Sequence, residues 1–245
     1  MNSNNRLIVL LLIGVVLMSG CNDNSSIIET DENPDSIKHK GLLYNKVISP
    51  YTDRVWLDRN LGAKRVCSAF DDTLCYGDNY QWGRDADGHE KVSNKFVSKQ
   101  AVDFRNAGTL FIASSLENNY DWAQKMDNNG SLRSKIWSQT DGTSICPVGY
   151  RVPTISELED ETTNSSDGMF NNIDAFNNFL KLPSAGVRSS YYGSKVLKKT
   201  GGVLWSTTTR DHYSYYLGFF QFMSGKAYGK RANAVRVRCI RDKET

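Results

Sequence analysis

Residues 151–158 read Arg-Val-Pro-Thr-Ile-Ser-Glu-Leu, a stretch that predicts a strand running into a helix. Thr154 and Glu157 have the spacing of a capping box, in which each side chain satisfies the backbone N–H of the other residue. The helix is therefore expected to begin directly after Thr154, with the strand entering it from the N-terminal side.

A second helix is predicted over residues 173–180. Its apolar side chains share one helical face, namely Ile173, Phe176, Phe179 and Leu180. Pro183 follows and prevents the helix from continuing.

The C-terminal third is strand-like over residues 203–207, 213–223 and 234–240, with polar or glycine-containing turns between them. In the last strand, the apolar residues alternate with Arg236 and Arg238. This alternation predicts that one face of the strand meets the core while the arginines point the other way.

Towards the N-terminus, residues 41–62 predict a hairpin, because two β-rich runs flank turn residues at 49–53. Residues 63–149 are rich in Gly, Asn and Asp and show little periodicity. Their scattered aromatic residues are interpreted as anchors that pin long loops onto the core. Few helices together with several short antiparallel strands indicate an α+β fold.

Residues 1–20 are interpreted as a signal peptide, because a positive charge, the apolar run 7–18 and two small residues describe a secretory signal. The run is shorter than the roughly 20 apolar residues of a membrane span, and a single uncleaved anchor helix is the alternative. Residues 17–21, Leu-Met-Ser-Gly-Cys, resemble the lipobox of bacterial lipoproteins. That resemblance implies that Cys21 is lipidated and attaches the protein to the membrane. The alternative is an ordinary signal with a coincidental cysteine.

Residues 21–40 are polar and lack aromatic side chains, which predicts a flexible tether. Residues 41–243 fit one domain. The net charge is +3 with acidic and basic residues well mixed, a balance that does not predict nucleic-acid binding. Basic clusters at 195–199 and 226–231 are interpreted as solvated faces, with a local anionic site left open.

Four further cysteines follow Cys21, namely Cys67, Cys75, Cys146 and Cys239. An even number in an exported protein predicts disulfides, and three connectivities are open. We expect the pairs Cys67–Cys75 and Cys146–Cys239. Metal binding is the competing account, but the chain has no Cys-x-x-Cys pair and only three histidines. No metal or other cofactor is expected.

Seven segments, taken in order, resemble the Fibrobacter succinogenes major paralogous domain family. They are Val-Trp-Leu-Asp-Arg-Asn-Leu-Gly-Ala (55–63), Tyr-Gly-Asp-Asn-Tyr-Gln-Trp-Gly-Arg (76–84), Asp-Trp (121–122), Cys-Pro-Val-Gly-Tyr-Arg-Val-Pro-Thr (146–154), Leu-Pro-Ser-Ala-Gly (182–186), Trp-Ser-Thr (205–207) and Val-Arg-Cys-Ile (237–240). The resemblance spans residues 46–242. That family is similar in fold to C-type lectin-like domains and, more distantly, to formylglycine-generating sulfatase-modifying enzymes.

The resemblance implies a C-type lectin-like fold with two helices, a small twisted antiparallel sheet and long loops that present a variable surface. It supports the pairing of Cys146 with Cys239, which flank the matched motifs, whereas Cys67 and Cys75 fall in a family-variable loop. Buried polar bonds between loops and sheet are predicted for Asp58, Arg59, Asn60 and Arg151, because buried charges need partners.

For function, we expect a binding module rather than an enzyme, because binding sites commonly use long loops on a rigid base. A carbohydrate ligand would stack on exposed aromatic residues, and the candidates are Tyr191, Tyr192 and Tyr213. Calcium is not expected, because residues 85–88, Asp-Ala-Asp-Gly, lack the remaining spaced ligands of a calcium loop and are interpreted as a turn.

Two alternatives remain open for the function. One is an envelope component that binds a protein partner, and the other is an enzyme related to the formylglycine-generating family. The second is disfavoured, because those enzymes use a C-terminal cysteine pair and only Cys239 is C-terminal here. The expected location is the cell envelope, at the outer membrane.

Overall fold

The computed structural model describes residues 35–115, 117, 119–124, 127–191, 195–196 and 199–243. The predicted signal peptide, Cys21 and Tyr192 lie outside the described residues. Within the described part of the chain, no helix has the length and apolar character needed to cross a membrane.

A five-stranded antiparallel sheet contains the first strands and the last strand of the chain. In spatial order it consists of β1 (Ser36–His39), β2 (Leu42–Ile48), β3 (Val55–Leu57), β14 (Ile240–Arg241) and β7 (Tyr150–Arg151). The predicted hairpin is the β2–β3 pair. The tether prediction is wrong for Ser36–His39, which pairs with β2 as a strand. Ile37 packs against the core there, a contact that the polar composition of the segment concealed.

A four-stranded sheet lies beside it. Its order is β4 (Tyr80–Gln81), β13 (Ala234–Val235), β8 (Val187–Arg188) and β9 (Lys195–Val196). A parallel pair, β5 (Phe96–Val97) and β6 (Phe111–Ile112), forms a separate small sheet.

The three-stranded sheet of β10 (Gly201–Arg210), β11 (Tyr213–Phe220) and β12 (Ser224–Lys230) lies between two apolar clusters. Successive residues of a strand point to opposite faces. Val203 and Trp205 of β10 therefore pack in one cluster, while Leu204 packs in the other with Leu217 and Phe219 of β11. Both faces of this sheet are buried over its central part.

Three short helices complete the described structure: α1 (Ser131–Trp137), α2 (Ile155–Asp160) and α3 (Asn172–Asn177). The predicted capping box of α2 is confirmed, since the side chains of Thr154 and Glu157 each accept the other residue's backbone N–H. The expectation of two helices is wrong, because α1 falls in a region that the sequence indicated to be irregular.

Helix α3 is shorter than predicted and buries different residues. Asn178 leaves the helical conformation with a ψ of 152°, which ends the helix before Leu180. Ala175 is fully buried, whereas Ile173 is 46% exposed. The predicted apolar face of this helix is therefore wrong at Ile173.

The prediction that aromatic residues of 63–149 anchor the loops is confirmed for most of them, but Phe96 is 39% exposed. All five tryptophans are buried, namely Trp56, Trp82, Trp122, Trp137 and Trp205. Both expected disulfides are present, Cys67–Cys75 and Cys146–Cys239. Few helices with several mainly antiparallel sheets agree with the predicted α+β class.

The predicted exposure of the C-terminal arginines is wrong. Arg236 and Arg238 are 6% and 1% exposed. Between β13 and β14 the chain runs beside β10, where Arg236 forms a bridge with Leu204. Residues pack on both sides of this segment. The alternation of apolar residues with arginines therefore does not separate a buried face from a solvent-exposed one.

Candidate functional site

A cleft of about 270 Å³ opens beside the C-terminal end of α1. Its apolar floor is formed by Phe104, Ile136, Trp137 and Ile145. Its rim carries three exposed polar residues, Asp85, Arg105 and Thr143. This group of residues is called the aromatic cleft below.

The floor is fixed by hydrogen bonds to neighbouring loops. Trp137 is the last residue of α1, and its Nε1 donates to the carbonyl oxygen of Arg84 at 3.3 Å. Its ring lies 5.9 Å from that of Trp82. His39 Nε2 lies 2.8 Å from the carbonyl oxygen of Ile145 and links the floor to β1. The floor is thus joined to two other parts of the chain, the segment 82–84 and β1.

Behind the floor, Arg133 of α1 is completely buried between two indole rings. Its Nη atoms donate to both carboxylate oxygens of Asp121 at 2.8 and 2.7 Å, and its Nε donates to Asp127 at 3.0 Å. The guanidinium carbon lies 5.4 Å from the Trp82 ring and 5.2 Å from the Trp122 ring. Asp127 also accepts from the backbone N–H groups of Leu132 and Arg133. Arg133 thus fixes the first turn of α1 to the loops that carry the tryptophans.

Two more buried arginines extend this group. Arg231 lies 4.8 Å from the Trp82 ring and donates to the carbonyl oxygens of Asn128 and Asp211, each at 2.7 Å. Arg84 lies 5.4 Å from the Trp122 ring and donates to Asp87 at 2.7 Å. Arg231 is buried, so the interpretation of the basic cluster 226–231 as a solvated face is wrong for this residue. We call the whole group the arginine–tryptophan network: Arg84, Arg133, Arg231, Asp121, Asp127, Trp82 and Trp122.

Two glycines allow this close packing. Gly83 has a φ of +70°, and a Cβ there would lie 2.6 Å from Cβ of Arg133. Gly130 has a φ of +75°, and a Cβ there would lie 2.6 Å from Nη2 of Arg231. Positive φ angles disfavour other residues, so the backbone conformation and the space both require glycine.

The rim presents donors and acceptors to solvent. The guanidinium carbon of Arg105 lies 4.8 Å from the Phe104 ring centroid. The hydroxyl and backbone N–H of Thr143 donate to Asp141 at 2.6 and 2.9 Å. The hydrogen bond from the Thr143 hydroxyl is the main cause that lowers the pKa of Asp141. Asp85 accepts the N–H of Ala86 at 2.7 Å. Charged and hydroxyl groups thus surround an apolar floor.

Two of the three predicted ligand-binding tyrosines, Tyr191 and Tyr213, lie among the described residues, one in the turn after β8 and the other in β11. Tyr191 is 54% exposed and follows β8 in the four-stranded sheet. Tyr213 lies in β11 of the three-stranded sheet, where its ring is 5.5 Å from that of Tyr228. Tyr192 lies outside the described residues.

The predicted structural polar residues lie in bonded positions. Arg59 donates from Nη1 to both oxygens of Asp58 at 2.8 Å and lies 4.5 Å from the Tyr44 ring. Asn60 donates to the carbonyl oxygen of Tyr76 at 3.2 Å and accepts from Arg238 at 3.2 Å. Asp58, Arg59 and Asn60 are all buried.

Arg151 is half-buried and connects β7 to α2. Its Nη atoms donate to Glu157 at 2.9 and 2.7 Å, and its Nε donates to Asp242 at 3.0 Å. Burial raises the pKa of Glu157, but hydrogen bonds from Arg151 and the Thr154 backbone outweigh it and hold that pKa at about 2. The capping-box glutamate therefore also serves as an ion-pair partner.

Asp87, His89 and Glu90 place three potential metal-ligating atoms within 4.8 Å of one another. His89 Nε2 lies 3.0 Å from the backbone N–H of Gln81 and must accept from it. His89 Nδ1 lies 2.7 Å from Asp87 and therefore carries the proton. Both ring nitrogens are thus occupied by the chain, so the arrangement fits a neutral structural histidine. Burial lowers the pKa of His89, which favours the same neutral form.

Sequence reasoning missed the aromatic cleft as a site. The scattered aromatic residues of 63–149, which include Phe104 and Trp137, are interpreted from the sequence only as loop anchors, and the floor is assembled from segments between positions 104 and 145 that share no motif. Comparison of the chain with family models, curated proteins and solved structures finds no match. The cleft is therefore assigned on its geometry alone.

Proposed function

We propose that the protein is a non-catalytic, lipid-anchored binding module of the outer membrane that binds a carbohydrate in the aromatic cleft without calcium. The observation that carries this proposal is the cleft, whose apolar floor lies beneath a polar rim. The same proposal includes membership of the Fibrobacter succinogenes major paralogous family, a C-type lectin-like fold and lipidation of Cys21, each based on sequence motifs.

The cleft has the size and chemistry for one sugar ring. Its volume of about 270 Å³ lies near the lower end of small-molecule pockets. A sugar ring has an apolar C–H face and a hydroxyl-bearing edge. The apolar lining includes Phe104 and Trp137, of which only 6% and 1% are exposed, while Asp85 can accept and Arg105 can donate hydrogen bonds.

The surroundings of reactive side chains favour binding over catalysis. Of the histidines, His39 bonds to a carbonyl oxygen and His89 to Asp87 and a backbone N–H. The four cysteines in the described residues all form disulfides. These histidines and cysteines therefore do not form a nucleophile–base pair of the kind that covalent catalysis uses.

Calcium independence is supported by the composition of the rim. Calcium takes six to eight oxygen ligands, usually several of them carboxylates. Among the described residues, Asp85 is the only carboxylate that lines the aromatic cleft.

Glycan-array binding with and without EDTA tests the proposal. The decisive variants are Asp85→Asn and Arg105→Met, the second of which keeps the apolar stem over Phe104. Each should weaken binding about tenfold, because each removes a charge-assisted hydrogen bond. Asp160→Asn, an equivalent change at an exposed residue of α2, is the matched control.

Tyr191→Ala separates the cleft from the site predicted from sequence. Unchanged binding in Tyr191→Ala with loss in Asp85→Asn supports the cleft. The reverse pattern rejects the cleft and returns the site to the loop after β8. Binding that disappears in EDTA rejects the calcium-independent mechanism.

A protein-binding role in the envelope is the second candidate. Phe222 and Met223, in the turn between β11 and β12, are 87% and 65% exposed. The Ser224 hydroxyl bonds to the carbonyl oxygen of Met169, which brings this turn beside Phe170, itself 73% exposed. Exposed apolar patches of this kind mark interaction surfaces. Absence of glycan binding, together with partner capture that Phe222→Ser abolishes, would favour this role.

A further inference from the structure

A second cavity, of about 240 Å³, shares no lining residue with the aromatic cleft. Tyr76 and Asn79 border it, Val92 and Val187 supply apolar surface, and Arg236 lines it. A water molecule occupies about 30 Å³ in the liquid. The cavity therefore has room for a small organic molecule beside a guanidinium group that is only 6% exposed.

The guanidinium of Arg236 is held by three neutral acceptors. Nε donates to the carbonyl oxygen of Tyr76 at 2.8 Å, Nη2 donates to that of Ala185 at 3.2 Å, and Nη1 donates to Asn79 Oδ1. A guanidinium has five N–H groups. One N–H on each Nη atom is thus left without an acceptor among the described residues.

The positive charge of Arg236 has no contacting anion within the described part of the chain. Asp78 is the acidic residue whose charge acts on it, but Asp78 pairs with Nζ of Lys91 at 2.6 Å. Burial lowers the pKa of Arg236 to about 10, the direction expected for a cation removed from water without a partner. Arg133, at a similar depth, contacts two carboxylates.

We propose that this cavity is a binding site for a small organic carboxylate, which accepts hydrogen bonds from the two remaining N–H groups of Arg236. The apolar part of the ligand then contacts Val92 and Val187. A monovalent carboxylate fits better than a divalent phosphate, because Arg236 is the only cationic residue among the described residues that line the cavity. The planar guanidinium also matches a carboxylate geometrically. This site does not depend on carbohydrate binding in the aromatic cleft.

The test compares propionate with propionamide, a neutral molecule of nearly the same shape. Binding to the purified protein is followed by NMR shifts of the Gly77 and Asn79 amides at constant ionic strength. Propionate should produce saturable shifts, and propionamide should not. Equal responses to the two molecules, or no response to propionate, would overturn the proposal.

Val92 provides a variant that leaves Arg236 intact. Val92 is 70% exposed at the cavity, so substitution there should not disturb the fold. Val92→Asp should weaken propionate binding about fivefold, since a carboxylate at the cavity repels the ligand. Val92→Asn, the neutral control of the same size, should stay within about twofold. An unchanged affinity in Val92→Asp contradicts the assigned site.

Arg236→Gln completes the series. Loss of propionate binding in a variant whose amide spectrum remains dispersed supports the assignment. Retained binding rejects it. Because the Val92 pair does not alter Arg236, the outcome is decided even if Arg236→Gln fails to fold.

Discussion

Two buried regions of this molecule contain arginines and compensate their charge in different ways. In the arginine–tryptophan network, Arg133 contacts Asp121 and Asp127 and lies between indole rings. In segment 234–241, Arg236 and Arg238 donate to carbonyl and amide oxygens. Burial lowers the pKa of Arg236 to about 10 and that of Arg238 to about 9.

The difference shows two ways to fix an arginine inside a protein. Arg133 of the network relies on opposite charges, whereas the segment relies on neutral acceptors and on a covalent link. Cys239 follows Arg238 directly and is bonded to Cys146, 93 residues earlier in the chain. We therefore expect different responses to the loss of a disulfide and to the loss of an arginine, and a smaller response to a decrease in pH.

The largest effect is expected from removing Cys146–Cys239. Cys146→Ala/Cys239→Ala should lower the free energy of unfolding by about 4–5 kcal/mol, because a long loop is released in the unfolded chain. Cys67→Ala/Cys75→Ala, which opens a loop of 8 residues, should cost about 2–3 kcal/mol. Urea unfolding of both variants checks the difference. Equal losses would contradict the expected dependence of the stabilisation on loop length.

Arg133→Met should lower the free energy of unfolding by about 3–5 kcal/mol, because the buried carboxylates of Asp121 and Asp127 lose the guanidinium group with which they pair. Arg105→Met, at an exposed arginine, is the control and should change stability by less than about 0.5 kcal/mol. Thermal and urea unfolding provide the measurement. A loss below about 1 kcal/mol for Arg133→Met would contradict the role assigned to its ion pairs.

Arg236→Met should cost less, about 2 kcal/mol, because its acceptors are neutral and border a cavity that water can enter. No carboxylate is left without a partner by this substitution. The measurement is urea unfolding under the conditions used for Arg133→Met. A loss equal to that of Arg133→Met would remove the distinction between the two regions.

The smallest effect concerns pH and His89, which bonds to Asp87 beside Arg84. Burial lowers the pKa of His89 below the ordinary value of 6.5. Below pH 6.5 the unfolded chain therefore takes up a proton before the folded protein does. The contribution of His89 to the free energy of unfolding is fully present above pH 6.5 and falls as the pH decreases towards the pKa of His89 in the folded protein.

The His89→Gln variant isolates this contribution. His39 has a pKa lowered by burial as well, so the wild-type slope contains both histidines. His89→Gln should flatten the loss of stability between pH 6.5 and 5 without abolishing it. Unfolding free energies across this range provide the test. An unchanged slope would mean that His89 does not titrate differently in the two states.

Local chemistry predicted some elements from the sequence. The structure contains the predicted α2 capping box, β2–β3 hairpin and both disulfides. The capping box and the hairpin depend on residues close together in sequence, and the disulfides are expected from the even number of cysteines. Helix α1 was missed because its buried residues are Arg133 and Trp137, while Leu132 is exposed. A hydrophobic pattern cannot reveal a helix whose inner face carries a paired arginine.

The candidate site was less predictable than the fold. The tyrosines Tyr191 and Tyr213 are predicted ligand contacts in sequence, and the structure places them in the turn after β8 and in β11. The floor of the aromatic cleft joins Phe104, Trp137 and Ile145, which meet only after the loops have packed. The burial of Arg236 likewise depends on acceptors from two distant segments, around Tyr76 and at Ala185.

Segment 234–241 also bears on the order in which the protein can fold. Its strand β13 lies between β4 and β8, and its strand β14 lies between β3 and β7. Neither sheet is continuous until this late segment arrives, so the decisive pairings join residues far apart along the chain. Such a topology has high contact order and is expected to fold slowly. Until then, the polypeptide on its N-terminal side exposes unpaired strand edges at the centre of both sheets.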